Sequence, residues 1–176
     1  MARGWRREPW PDWKPTRKWR GSLFATRRMF FEQNHTHCNE RSVCPACGYP
    51  TLTRRGRYDC CPMCHWEDDG HDDPYAQDRN GGPNDSTLNR ARENFERTCS
   101  VWSFDQRDEF SPWNQALLFD PRILQHKLQL RAAHDALMNL QTASDVARQW
   151  EEIDRLREVG SQINQSVTEE ITQKCD

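Results

Sequence analysis

Two hooks of the form Cys-Pro-x-Cys, Cys44-Pro45-Ala46-Cys47 and Cys61-Pro62-Met63-Cys64, are separated only by residues 48 to 60. Two sulfurs three positions apart on a tight turn can take two corners of a tetrahedron. Two such turns facing each other complete a four-thiolate zinc site. Pro45 and Pro62 fix φ just after the first sulfur of each pair, and Gly48 permits positive φ directly after the second. His65 holds the equivalent place in the second hook. Histidine is among the few non-glycine residues enriched at positive φ, so it is read as a turn residue before it is read as a ligand.

The chain that must fold around these hooks is polar: 35% of its 176 residues are hydrophobic and 30% charged, with a mean hydropathy of -1.08. A single large core is not expected from such a composition. No apolar run is long enough to span a membrane. Eight cysteines would suit a secreted disulfide scaffold, but no leader with a small-residue cleavage site precedes them. Thr26-Arg27-Arg28-Met29-Phe30-Phe31 superficially resembles a twin-arginine signal, yet Glu32-Gln33-Asn34-His35 follows where an apolar segment is required. A reducing cytoplasm with bound metal fits better.

The formal charge of -2 hides an asymmetry. Residues 1 to 30 hold nine Lys or Arg against Glu8 and Asp12, a balance of +7 that leaves -9 for the remainder. That arm interleaves Trp5, Trp10, Trp13 and Trp19 with Arg and Pro and shows no period. Residues 1–42 are therefore read as a disordered or loosely docked arm and lead-in. Basic charge with indoles suits nucleic acid or an acidic surface. A solvated tail, or residues translated ahead of a start at Met29, is the preferred reading. His35, His37 and Cys38 form a metal-capable cluster that is read as a lead-in loop, because four sulfurs already saturate a structural zinc.

Residues 43–98 form the metal domain. Thr51-Leu52-Thr53 and Arg57-Tyr58-Asp59-Cys60 are expected to pair as a hairpin turning at Arg55-Gly56. A loop over residues 67 to 85 follows. Asp85 or Ser86 then caps a covering helix over 87 to 98, with Leu88, Ala91, Arg92 and Phe95 on one face. Few large apolar side chains are available, chiefly Tyr49, Leu52, Tyr58, Met63, Trp66, Leu88 and Phe95. A structural zinc, contributing on the order of 10–16 kcal/mol of apparent binding free energy, would compensate. Residues 99–121 are an aromatic connector with Trp102, Phe104, Phe110, Trp113 and Phe119, expected to pack on the metal domain. After the Asp120-Pro121 cap, residues 122–176 read as a helical hairpin or coiled coil. One helix carries Ile123, Leu124, Leu128, Leu130, Ala133, Leu137, Met138 and Leu140. After a break at Thr142 to Asp145, the other carries Val146, Trp150, Ile153, Leu156, Val159, Ile163, Val167 and Ile171. Gly160 weakens that seam locally.

The string Cys44-Pro45-x-Cys47-Gly48-Tyr49, Thr51-Leu52, Tyr58, Cys61-Pro62-x-Cys64-x-Trp66-Glu67-Asp68-Asp69, Asp73-Pro74, Gly82-Pro83-Asn84 and Leu88-x-x-Ala91-Arg92-Glu93-Asn94-Phe95 closely resembles the bacterial cysteine-rich CPCC family. The resemblance implies a small α+β zinc-ribbon or rubredoxin-like knuckle domain with no established enzymatic activity. Where that family has a third cysteine inside the first hook this chain has Ala46, and where it has an aliphatic residue this chain has Cys60. The ligand set is then Cys44, Cys47, Cys61 and Cys64, with Cys60 a small apolar strand residue. Cys38, Cys99 and Cys175 are left as free thiols.

Four functions compete. A saturated S₄ site points to one structural Zn²⁺ in a non-enzymatic interaction or adaptor module, with the acidic loop from Glu67 to Asp78 or the C-terminal helices meeting another protein. An immunity-type protein is one version. A nucleic-acid-binding zinc ribbon would use the basic arm, against the acidic remainder. Iron in the same site would make a rubredoxin-like electron carrier. A metal-dependent hydrolase would use Glu67, Asp68, Asp69, Asp72, Asp73 and Asp78 with His71, although Glu67-Asp68 beside Arg92 reads more simply as a structural pairing. Thioredoxin-like redox chemistry is disfavoured, because a glycine turn and not a helix follows the first hook.

Overall fold

The computed structural model describes residues 13–78 and 82–173. Trp5 and Trp10 of the basic arm, and Cys175, lie outside the described residues. The first helix, α1 (Leu23–Gln33), is capped by the Ser22 hydroxyl, which accepts from the Ala25 amide. Two antiparallel strands, β1 (Ser42–Val43) and β2 (Pro50–Leu52), flank the first hook. Four helices follow: α2 (Leu88–Thr98), α3 (Pro112–Phe119), α4 (Pro121–Leu137) and α5 (Ala143–Gln173).

One cluster of buried side chains runs through the whole arrangement. It joins Phe31 of α1, the hook cysteines, Tyr49, Leu52 and Trp66, Leu88 and Phe95 of α2, and Leu130, Leu137, Trp150 and Ile153 of α4 and α5. The expectation that no single large core would form is thus corrected: the helical pair lies over the cysteine-rich segment and completes its core. Tyr49 is the joint. Its ring meets Phe31, Phe95 and His134, and its hydroxyl donates to Asp135 of α4.

The basic arm is also corrected from residue 13 onward. Trp19 and Phe24 are buried, the Trp19 indole donates to Asn89 of α2, and the Trp13 indole donates to Asp73 at 2.7 Å. Arg27 and Arg28 are buried too. Charge conceals this docking in the sequence, because buried guanidiniums paired with carboxylates leave no apolar period to read.

The expected hairpin pairs differently. Thr51-Leu52 pairs backward with Ser42–Val43 across the first hook, in register Ser42 with Leu52. Across the second hook there is only a single bridge between Cys60 and Glu67. Tyr58 takes φ +61° and is exposed, and Cys60 is exposed as well; neither belongs to the core. The covering helix starts one residue later than expected, with Thr87 accepting from the Arg90 amide as its cap. Leu88, Ala91, Arg92 and Phe95 are all buried, as their spacing predicts.

The connector holds a short 3₁₀ turn (Phe104–Glu109) and α3, and its rings chain together through Trp102–Phe110, Phe110–Phe119 and Phe104–Phe119. Helix α3 packs on α4 and α5, while Trp102 of the connector packs against the cluster that holds the hook cysteines. The Asp120 carboxylate caps α4 by accepting from Arg122 N at 2.7 Å, and Thr142 caps α5 through the Asp145 amide. The buried stripe of α4 is Ile123, Lys127, Leu130, His134 and Leu137, with Leu128 turned to solvent. The run expected to reach Leu140 ends at Leu137, with Met138 as its cap. Among the described residues no helix is long and apolar enough to cross a membrane.

Candidate metal centre

Each hook closes as the same six-residue turn. In the first, the Cys44 amide donates to the Tyr49 carbonyl at 2.9 Å and the Gly48 amide to the Cys44 carbonyl at 3.0 Å. In the second, Cys61 N meets Trp66 O and His65 N meets Cys61 O, both at 2.8 Å. Gly48 takes φ +79° and His65 φ +69°, the conformation that turns the chain back under its own sulfurs. Trp66 N approaches Cys64 Sγ at 3.5 Å, and the Thr51 hydroxyl lies 3.0 Å from Cys61 Sγ.

These turns bring Cys44, Cys47, Cys61 and Cys64 together, fully buried, with their sulfurs all within 4.8 Å of one another. Cys44 and Cys64 are 3.7 Å apart and Cys47 and Cys61 3.8 Å. A tetrahedron with metal–sulfur bonds of about 2.3 Å has edges of about 3.8 Å. The donor set therefore fits a tetrahedral ion. Burial pushes the Cys44 and Cys64 thiols well above their ordinary value. At Cys61 the same burial is outweighed by hydrogen bonds from Cys44, Cys47, Cys64 and Thr51, and the thiol is held below it. A dry pocket of mutually hydrogen-bonded thiols is one in which a divalent cation would replace protons.

Charged side chains from outside the hooks brace them. Arg27 of α1 donates from Nε and Nη2 to the Cys47 carbonyl at 3.2 and 3.1 Å and pairs with Glu96 of α2. Arg92 of α2 donates from Nε to the Pro45 carbonyl at 2.9 Å. Two carbonyls of the first hook are thereby fixed by residues before and after it in the chain. The second hook is held by Asn84, whose side chain accepts from Glu67 N at 3.1 Å and donates to Glu67 O at 2.7 Å. Its Cys64 carbonyl accepts from Val101 N at 2.8 Å.

The acidic loop is largely turned inward. Asp72 accepts both terminal nitrogens of Arg28 at 2.7 Å, Arg55 at 3.0 Å and Arg92 at 3.4 Å. Burial works against its charge, but Arg28 foremost, with Arg55 and Arg92, holds its carboxyl well below the usual carboxylate range. Asp68 accepts from Arg55 at 2.9 Å and from the Gly56 amide, and Asp73 pairs with Arg92 at 2.9 Å. The pairing expected between Glu67-Asp68 and Arg92 is therefore made by other partners, Asp68 with Arg55 and Arg92 with Asp72 and Asp73. Asp69 accepts from the His71 amide, and the His71 ring meets the Tyr75 carbonyl. Arg28 of the arm, with Arg55 and Arg92, thus neutralises the buried acids of the loop inside the fold.

His35, His37 and Cys38 do not converge. The His37 ring approaches the Leu140 carbonyl at 3.2 Å, and the Cys38 thiol donates to the Phe31 carbonyl at 3.3 Å. Burial pushes that thiol up to about 12. The segment is a joint between α1 and the helical pair, since the Trp150 indole also donates to the His37 carbonyl at 3.0 Å.

Residues beside the centre that the hooks do not announce are Thr51, Lys127 and His126. Lys127 Nζ lies 3.5 Å from His65 Nδ1. Burial pulls its ammonium down to about 8, against the cysteine sulfurs of 64 and 61, which favour its charge. Its position was readable: Lys127 stands four residues after Ile123 and three before Leu130, on the buried stripe of α4.

Residues 42–109 match the family model described as cysteine-rich CPCC, the family that the motif string resembles. The match continues past α2 through the 3₁₀ turn. No curated protein and no solved structure matches the chain.

Proposed function

We propose that the chain is a zinc-stabilised, non-enzymatic protein-interaction module whose metal is structural. The observation that carries this is the closed S₄ set: four sulfurs with no exposure, spaced as the corners of one tetrahedron, use every position of a four-coordinate ion and leave none for water or substrate. Zinc is preferred to iron because closed four-cysteine knuckles are the common setting of structural zinc, although the same four sulfurs would also accept iron. Bound there, zinc would be held by Cys44, Cys47, Cys61 and Cys64 and would cross-link the two hooks.

The inward pairing of the acidic loop shifts the partner surface toward the outer faces of α4 and α5, where Leu128 and Val159 are exposed. The internal pairing of Arg27 and Arg28 weighs against a nucleic-acid role for that part of the arm. An inert module of this kind, working in a bacterial cytoplasm, suits an immunity-type protein that binds a cognate partner. Native mass spectrometry with elemental analysis of the full chain tests the metal: one zinc per chain is expected. A reddish protein carrying one iron would overturn zinc in favour of electron transfer. Two or more ions would overturn the single closed site.

A further inference from the structure

Beside the second hook, α4 and α5 enclose a cavity of about 200 Å³ lined by Pro62 and His65, by Ile123, His126 and Lys127 of α4, and by Asn164 of α5. Two features of its wall are unaccounted for by packing. His126 is 7% exposed, yet neither ring nitrogen makes a well-formed hydrogen bond, the Leu156 backbone of α5 being the polar group within its reach. Lys127 is 3% exposed, and among the described residues no carboxylate is paired with it; its ammonium meets the ring of His65 and lies within reach of the field of the Cys64 and Cys61 sulfurs. Buried polar groups are ordinarily satisfied, and a buried ammonium ordinarily has an anion. A metal tetrathiolate nearby would account for part of the charge of Lys127, but for neither the cavity nor the idle imidazole.

Gly160 strengthens the case. It sits in the interior of α5, where glycine is unfavourable, and a Cβ there would come within 2.5 Å of His126 Nε2. The missing side chain is what lets the imidazole sit against α5. Arg157, also lining the cavity, adds a second cation, 3.6 Å from Asp154. Ile123, Leu130 and Ile163 supply an apolar wall.

We propose that this cavity is a binding site for a small oxyanion, with Lys127 supplying the charge, His126 an N–H donor, and the isoleucine and leucine wall room for a short apolar body. A carboxylate and a phosphate share this chemistry. The site stands whether the ion in the S₄ centre is zinc or iron.

Isothermal titration of the metal-loaded full chain with sodium phosphate and with sodium butyrate, each against sodium chloride at equal ionic strength, tests it. Expected is saturable one-to-one binding of at least one anion with a Kd of about 1 mM or tighter. The phosphate arm winning indicates a phosphoryl ligand; the butyrate arm winning indicates a carboxylate with an apolar tail. Lys127→Met should weaken binding at least tenfold with metal content unchanged. Ser161→Phe, at an exposed lining position, should close the mouth and weaken it as much without touching the buried charge. No saturable binding of either anion at tens of millimolar overturns the proposal, as does either metal-loaded variant binding as tightly as the parent. Should Lys127→Met shed its metal, Ser161→Phe decides.

Discussion

The two hooks are one turn built twice with a different residue at its critical position. Both close with the same pair of backbone hydrogen bonds, and both need positive φ directly after the second sulfur. In the first hook that residue is Gly48, and a Cβ there would lie 3.3 Å from the Phe24 carbonyl of α1. In the second it is His65, whose ring instead reaches Lys127 and the cavity. The first hook is pressed under backbone, where glycine fits best. The second faces a space between helices, where a side chain is useful. Equal geometry at the sulfurs therefore coexists with unequal surroundings, one side structural throughout and the other bordering a cavity.

The comparison is sharpest at the sulfurs themselves. Cys44→Ser and Cys64→Ser should be equally damaging, because each leaves three ligands to one ion. Either should lose stoichiometric metal, and with it most of a binding free energy on the order of 10–16 kcal/mol. Elemental analysis and circular dichroism check this; a variant of one hook that keeps its metal while the other loses it would break the symmetry.

A smaller effect is expected at Asp72, which ties the loop after the second hook to Arg28 and Arg92 behind the first. Asp72→Ala leaves buried guanidiniums short of an anion and should cost about 3–5 kcal/mol in urea unfolding. The sign with pH follows from the depressed carboxyl. Its contribution is fully present above the unfolded value of about 3.9 and is lost as pH falls below it. The gap between parent and Asp72→Asn should be constant above about pH 4 and shrink below it.

The smallest effects separate the turns. Gly48→Ala meets both an unfavourable φ and the α1 backbone and should lower stability by about 1–2 kcal/mol. His65→Gly relieves its own φ and should change stability by less than about 1 kcal/mol. Thermal melts of the metal-loaded variants distinguish them. Equal losses would mean that the surroundings of the hooks do not differ in the way their contacts suggest.

Much of the molecule was legible where one residue type does one job. Cysteine and proline spacing marked the four sulfurs, Asp120-Pro121 marked the start of α4, and the buried face of α2 followed from Leu88, Ala91 and Phe95. Charge misled. Arg27 and Arg28 read as part of a solvated arm, yet both are buried because their partners Glu96 and Asp72 come from distant elements, and no local period records such a partner. Strand pairing misled for a similar reason: Thr51-Leu52 suits a strand on either side, and a ladder this short carries no pattern to choose between Ser42–Val43 before it and residues 57–60 after it. The union of hooks and helices in one core was hidden because it rests on Tyr49, which fits an isolated small domain equally well.

That union is tested most directly by amide hydrogen exchange of the full chain with and without metal. Leu137, Trp150 and Ile153 share one buried cluster with the four cysteines. Chelation should therefore strip protection from α4 and α5 together with residues 42–66. Helices α4 and α5 retaining their metal-loaded protection while the hooks alone exchange would contradict a shared core and leave two independent units.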